Sequence, residues 1–408
     1  MNVSPVPAPD PSGPAPRQDW QHFAREHWAR EPVVIPGVCP LGLGRDRAHT
    51  LLRAAVAAAA PGRVRLATTD GWLRHPGPLL PGPGDRDPAA YADRLAADPA
   101  LAGDGWLLTV ADPLSHDFRL WSRVRDCLAE LWRHVGRAPL PITAELTVGD
   151  RHHTVEETAA RPDSAALTWV LHGELTVRVR PEHTGTEYEL RARAGDLVHW
   201  PAGSSHLEHR PGPCTTLRLS VPARTTAALP FVADVVADLM RRSPAYVSEQ
   251  ITYRHPVPAA PDGRLDPPGQ LADAAAVFTD TMAGPEPERA LLLRWAGLRS
   301  AAGLDPVPPR RPGVRLTPGH RLRRTAEIVR LPGDGSSAIW AANGHAWPVP
   351  RATADLILPR LRTAPGELTV ADLADTAATG ADDPALLDLL GELYRARALT
   401  ATGPERRA

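Results

Sequence analysis

A histidine that follows a tight turn marks the most distinctive stretch of this 408-residue chain. The stretch from Gly195 to His206 indicates a strand, then a Pro-x-Gly turn at 201–203, and then His206 three residues after the glycine. A neutral imidazole offers a lone pair to a divalent metal ion, and it can also act as a general acid or base. The stretch therefore predicts a chemical site that contains His206.

No other catalytic signature competes with this one in the sequence. A phosphate-binding loop, a Gly-x-Ser-x-Gly elbow and a Cys-x2-Cys pair are all missing. The chain has no lysine, so its 46 basic residues other than histidine are all arginine. Chemistry that forms a Schiff base through a lysine is therefore excluded.

Composition limits the cellular setting. The formal net charge is −1, and no apolar run approaches the ~20 residues of a membrane span, so we expect no membrane partner. The three cysteines are far apart and odd in number, which favours the reducing cytoplasm. Residues 1–17 are rich in proline and predict a disordered leader.

Strands and turns must position His206. Their spacing between residues 142 and 222 suits a small β-barrel or sandwich. The predicted strands are Ile142 to Val148, Leu167 to Leu171, Leu175 to Arg180, Glu187 to Arg193, Asp196 to His199 and Thr215 to Val221. An amphipathic helix is predicted just upstream, from Asp117 to Val135.

After Pro222 the pattern becomes helical. A linker with four prolines, 303–312, then precedes a last part with two short strands, 326–331 and 337–342, and several helices. The final helix mixes acidic and basic residues, with Asp388, Glu392, Arg395 and Arg397 at its end. Because phosphate contacts need clustered cations, we do not expect nucleic acid as a partner.

The motif around His206 and an upstream hairpin resemble the cupin superfamily. The motif reads Gly-x5-Pro-x-Gly-x2-His, and the hairpin turns at Gly173, twenty-two residues before Gly195. The order of parts resembles JmjC proteins of the ribosomal-oxygenase type. This resemblance implies an α+β protein with a double-stranded β-helix, a helical dimerisation segment and a C-terminal winged-helix-like domain. The corresponding ranges are 18–222, 223–305 and 306–408.

The resemblance also implies roles for particular residues. His206 matches the distal iron ligand of the family, and Asp163 can stand for the family aspartate. Arg161 stands where the family has a second histidine, and a guanidinium has no lone pair for a metal. Arg218 matches an arginine that pairs with 2-oxoglutarate in other oxygenases, so we assign Arg218 and Arg161 to cofactor binding. A cleft lined by Arg161, Arg178 and Arg218 would favour a carboxylate-bearing ligand.

Several nearby side chains could replace the missing histidine ligand. They are His152, His153, Glu156, Glu157, Glu208 and His209. Without such a substitute, Asp163 and His206 form a two-ligand site, and such a site binds iron weakly.

Three functions follow from these residues. The first is an iron(II)/2-oxoglutarate-dependent oxygenase that hydroxylates a peptide or protein side chain, acting as a homodimer. The second is a cupin-like protein that has lost its metal and binds a peptide or a partner protein. The third is a non-redox isomerase or epimerase in which His206 and Asp163 serve as an acid/base pair. Iron(II) and 2-oxoglutarate are the cofactors in the first case, and none is needed in the others.

Overall fold

The computed structural model describes residues 19–37, 45–58, 62–69, 71–73, 76–99, 101, 105–154, 163–224, 229–242, 269–333, 335–364 and 366–403. The predicted leader, 1–17, and Arg161 lie outside these residues. The chain divides into two compact units: Met1–Thr225 with Leu304–Pro308, and Thr226–Gly303 with Pro309–Ala408.

The first unit is built mainly from strands. Its eleven described strands are β1 Val33–Ile35, β2 Val64–Thr68, β3 Gly71–Leu73, β4 Trp106–Ala111, β5 Thr143–Asp150, β6 Ser164–His172, β7 Glu174–Pro181, β8 Tyr188–Arg193, β9 Leu197–Trp200, β10 Ser204–His209 and β11 Cys214–Pro222. Its helices are α1 Trp20–Glu26, α2 Arg45–Ala58, α3 Pro88–Ala96 and α4 Phe118–Val135, with 3₁₀ turns at Gly77–Leu79 and Pro113–His116.

Two antiparallel sheets enclose the core of this unit. One has eight strands in the order β1-β9-β6-β11-β5-β4-β2-β3, and the other has three in the order β10-β7-β8. Buried side chains of β6, β9 and β11 pack with those of β7 and β8, including Val170, Val177, Leu190 and Trp200. This mixed unit, with its large antiparallel sheet, is consistent with a cupin-like fold, as the sequence predicted.

The predicted strands lie within a few residues of the observed ones. The sequence did not predict β3, β4 or β10, and β10 is the strand that carries His206. Its inward positions are Ser204, His206 and Glu208, all polar, so the alternation of apolar residues that identifies a half-buried strand is missing. The helix predicted from Asp117 is confirmed as α4, and the Asp117 carboxylate accepts from the backbone N–H groups of Arg119 and Leu120.

The turn between β6 and β7 requires glycine. Gly173 has φ +76°, and a Cβ there would lie 2.1 Å from the carbonyl oxygen of Pro213. The backbone at this turn therefore needs both a left-handed conformation and a close approach to the backbone of Pro213. Only glycine permits both.

The second unit combines helices with two small sheets. Its helices are α5 Leu229–Arg242, α6 Gly269–Ala283, α7 Glu286–Ser300, α8 Arg351–Thr363, α9 Val370–Ala377 and α10 Pro384–Arg395. Its strands are β12 Arg321–Arg324, β13 Val329–Pro332, β14 Ser337–Ala342, β15 His345–Pro350, β16 Leu368–Thr369 and β17 Leu399–Thr402. They form the sheets β16-β12-β17 and β13-β14-β15, both antiparallel.

More strands are present here than the sequence predicted. The predicted strand 326–331 is in fact β13, and β12 precedes it with the sequence Arg-Leu-Arg-Arg, which has a single buried position at Leu322. β15 contains Pro348 and Pro350, which normally argue against a strand. The winged-helix and dimerisation assignments stay predictions. None of the described helices combines the length and the apolar character needed to cross a membrane.

Candidate functional site

The turn at Pro201–Gly203 directs β10 so that His206 points into the space between the two sheets. Gly203 has φ +74°, and the backbone enters β10 at the next residue. His206 is 5% exposed, and its ring centroid lies 4.8 Å from that of Trp200 in β9. The imidazole is therefore an interior group, with β10 behind it and the large sheet in front.

Glu208, the next inward residue of β10, is the centre of a buried ion-pair cluster. Its Oε2 accepts from Arg210 Nη2 at 2.7 Å, and its Oε1 pairs with Arg218 Nη2. The His206 Nε2 lies 3.4 Å from the same Oε1. Burial opposes ionisation of Glu208, but Arg218 and Arg210 outweigh it and hold the pKa of that carboxyl well below its usual range.

Arg218 reaches this cluster from the opposite sheet. Its Nε donates to Thr168 Oγ1 of β6 at 3.1 Å, and its guanidinium lies over the Trp200 ring, 4.9 Å from the centroid. The side chain is 13% exposed, and Glu145 of β5 is its cross-strand neighbour. Arg218 therefore links the two sheets and keeps a small exposed part.

Arg210 is enclosed completely. Its side chain has no exposed surface, and its Nη2 also donates to Thr147 Oγ1 at 3.3 Å. Its Nε and Nη1 have no hydrogen-bond partner. The guanidinium thus has donor capacity beyond the single carboxylate of Glu208.

A short segment pairs with the free edge of β10. Arg210 N donates to the His152 carbonyl at 2.8 Å, and Thr154 N donates to the Glu208 carbonyl at 2.9 Å. His153 forms an antiparallel bridge with His209. Burial, with Arg210 nearby, lowers the pKa of His152 to about 4, so this imidazole is neutral at pH 7. Residues 155–162 lie outside the described residues, and they include the candidate metal ligands Glu156 and Glu157.

Asp163 stands at the start of β6, half-buried. Its carbonyl oxygen accepts from Ala223 N at 3.0 Å and from Arg224 N at 3.2 Å, which fixes the end of the pairing between β6 and β11. Within the described residues, no hydrogen bond or ion pair joins its carboxylate to His206, whose ion-pair partner is Glu208. The pairing of Asp163 with His206 as metal ligands stays a prediction.

The described side chains do not fit an iron triad. Among them, no group of three or more His, Cys, Asp or Glu residues is placed to hold a metal ion. The carboxylate beside His206 already faces two guanidiniums, and a divalent cation beside it would meet their repulsion. These residues favour an anion over a cation.

Arg178 does not line this interior, contrary to the cleft predicted from the sequence. Val177 and Val179 of β7 are buried in the core, so Arg178 between them points outward and is exposed. It lines an outer cleft of about 660 Å³ together with Arg191, Arg193 and His209. His209, a candidate substitute ligand, therefore also faces away from His206.

Sequence reasoning named Glu208 only as a substitute metal ligand and missed Arg210. A signal was present, because His206, Glu208 and Arg210 recur at every second position and so share one side of an extended chain. Their chemistry as an ion-pair cluster depends on Arg218 and Thr147 from other strands, and alternation alone does not identify such partners.

Comparisons with known proteins find similar structures at low sequence identity. No family model and no curated protein matches the chain. It is similar to the structure of YcfD, a ribosomal oxygenase from Escherichia coli, at 18% identity and TM-score 0.47, over 95% of this chain and 98% of that one. It is also similar to YcfD in complex with cobalt and 2-oxoglutarate, at 17% identity and TM-score 0.46, over 95% and 99% of the two chains. Both neighbours are structures of a ribosomal oxygenase, which is the type of protein that the sequence motifs resemble.

Proposed function

We propose that this protein is a barrel of the 2-oxoglutarate-oxygenase kind that binds a carboxylate-bearing ligand between its sheets and works without a resident iron. The observation that carries the proposal is Glu208, a buried carboxylate shared by Arg210 and Arg218 beside His206. In this interior, the groups that select a ligand are guanidiniums, and their natural partners are carboxylates.

Arg218 is the residue that can exchange partners. It lies at the partly exposed side of the cluster, whereas Arg210 is fully enclosed and continues to neutralise Glu208. An incoming carboxylate can therefore pair with Arg218 while Glu208 keeps one cation. Trp200 and Thr168 hold the Arg218 side chain in place, so little conformational entropy is lost when the ligand binds.

The ligand class follows from the charge of the site. A small dicarboxylate such as 2-oxoglutarate or succinate fits this chemistry, as does the acidic side chain or C-terminus of a peptide. A peptide or protein partner, a homodimeric assembly and a cytoplasmic location remain parts of the proposal.

A second candidate is the active iron(II)/2-oxoglutarate hydroxylase, and His206 favours it. Its imidazole is buried, and its Nδ1 has no hydrogen-bond partner. His206 and Asp163 would then hold iron, with Arg218 on the co-substrate. Bound iron would supply the oxidising power, while these residues would orient the substrate and exclude water. Glu208 would have to release Arg218 in that case.

Calorimetric titration separates the two candidates. Protein stripped of metal with a chelator is titrated with 2-oxoglutarate and with succinate, and then again after anaerobic addition of iron(II). We expect binding without metal, and a loss of at least tenfold in affinity for Arg218→Ala. Arg180→Ala is the matched control, because Arg180 lies on the outer face of β7 and pairs with Glu187. Binding that requires iron, together with formation of succinate from 2-oxoglutarate, would establish the hydroxylase instead.

A further inference from the structure

The second unit contains a run of the chain with many arginines and no acids. Between Asp305 and Glu327 there is no aspartate or glutamate. The same run contains six arginines: Arg310, Arg311, Arg315, Arg321, Arg323 and Arg324. A protein with a net charge of −1 therefore concentrates positive charge in one short segment.

Two of these arginines have structural roles. Arg310 pairs with Glu392 of α10. Arg311 donates from Nε to the Tyr394 carbonyl at 2.7 Å and from Nη2 to the Leu399 carbonyl, and its guanidinium stacks 3.4 Å from the Tyr394 ring centroid. Both side chains therefore bind the segment to the end of the chain.

The other four arginines are exposed: Arg315, Arg321, Arg323 and Arg324. They form no ion pair within the described residues. Arg321 and Arg323 also share one side of β12, and we call these two side chains the basic face. The acids nearest to them along the paired strands and the chain are Glu367, just before β16, and Glu327, and neither forms an ion pair with the face.

The strand register orders this face. β12 lies in the centre of its sheet, with β16 on one side and β17 on the other. Arg321 is opposite Thr369 in β16 and Thr402 in β17, and Arg323 is opposite Thr400. Small threonines beside each arginine leave the guanidiniums accessible. The Thr400 hydroxyl donates to the Arg323 carbonyl at 3.3 Å, so it does not occupy the guanidinium.

We propose that the basic face binds the phosphate backbone of a nucleic acid. Residues in a strand advance by about 3.4 Å, so Arg321 and Arg323 lie roughly 7 Å apart on one side of the sheet. Each strand of a DNA duplex carries one phosphate per about 3.4 Å of helix axis, so guanidiniums at this spacing can contact phosphates of one strand. Guanidiniums also pair with phosphate through two parallel N–H donors.

The sequence indicated no nucleic-acid partner because its final helix mixes acidic and basic residues, and in the structure Arg395 pairs with Glu392 within α10. Glu392 therefore neutralises Arg395 in the helix, whereas the exposed arginines of β12 form no ion pair within the described residues. The inference does not depend on the ligand of the first unit.

Salt dependence of binding tests the proposal. The full chain is titrated against a fluorescent 20-nucleotide single strand, against a duplex of the same sequence, and against an acidic peptide of equal charge. Two phosphate contacts predict a slope of log K against log salt near −1.4 for a single strand and near −1.8 for a duplex. Affinity for the single strand should therefore fall by about sevenfold between 50 and 200 mM salt.

The paired substitution Arg321→Ala with Arg323→Ala should reduce the single-strand slope by about 1.4. The control is Arg241→Ala with Arg242→Ala, two exposed arginines of α5 that each pair with Asp238, and it should leave the slope unchanged. A slope near zero for the unaltered protein, an equal slope in the paired variant, or equal affinity for the acidic peptide would each overturn the proposal.

Discussion

His206 Nε2 lies 3.4 Å from Glu208 Oε1, two residues further along the same strand. The histidine that the family resemblance implies as a metal ligand therefore faces a carboxylate that two arginines already neutralise. Anion recognition without a metal, as we propose it for this interior, rests on this arrangement.

Replacement of Glu208 by glutamine should destabilise the first unit. The change leaves Arg210 and Arg218 buried without their common counter-ion, and breaking a buried pair in this way costs about 3–5 kcal/mol. Urea unfolding measures the loss. Glu189→Gln is the control, since Glu189 pairs with the exposed Arg191 on the outer face of β8 and should cost under about 1 kcal/mol. Equal stability of the two variants would show that the cluster is solvated.

The stability contributed by Glu208 should disappear in acid. Its pKa is lowered in the folded protein, so the unfolded state binds its proton at higher pH than the folded state does. The contribution is therefore complete above the unfolded pKa of about 4.3 and is lost as pH falls toward the folded pKa. The unfolding free energy should fall more steeply below pH 4.5 in the unaltered protein than in Glu208→Gln. Parallel pH curves for the two proteins would contradict this.

The burial of His199 should make the folding stability depend on pH in a second, higher pH range. Burial lowers the pKa of His199 to about 4, although its Nδ1 lies 2.9 Å from the Ala166 carbonyl oxygen. Because the unfolded imidazole takes up a proton near pH 6.5, stability should decrease as pH falls from about 6.5 to 4, by up to about 3 kcal/mol. His199→Phe should make that part of the curve less steep, and the remaining slope should come from His152, whose pKa burial also lowers to about 4. His153→Phe, at a more exposed position, is the control and should not.

The turn at Gly173 should tolerate no side chain. Gly173→Ala places a Cβ 2.1 Å from the Pro213 carbonyl oxygen and also forces a residue with a Cβ into φ +76°. Gly185→Ala has a similar φ of +64° but meets nothing within 4 Å, so it isolates the backbone strain of about 1–2 kcal/mol. Thermal unfolding should show a loss for Gly173→Ala clearly larger than that of its control. Equal losses would mean that the turn relaxes around the methyl group.

The sequence predicted the strands around the site better than the interacting side chains within it. Alternating apolar residues located β7 and β11 to within about two residues, because such alternation follows directly from which face is buried. It could not locate β10, whose inward side chains are polar. The partners of Glu208 come from positions 210 and 218, and long-range pairing across a barrel leaves no local pattern that identifies them.

The same limit explains why the sequence did not indicate the basic face. The arginines of β12 stand in a stretch without apolar alternation, so the sequence did not indicate a strand there. Only the pairing with β16 and β17 aligns Arg321 with Arg323 and separates them from the neutralised arginines of α10.

Metal content after anaerobic reconstitution tests the central claim most directly. The protein is incubated with excess iron(II) and 2-oxoglutarate under argon, gel-filtered, and assayed for iron per chain, with Glu208→Gln measured beside it. We predict far less than one iron per chain in the unaltered protein, because the guanidiniums beside His206 repel a divalent cation. One tightly held iron per chain, with succinate formed once oxygen is admitted, would contradict the account.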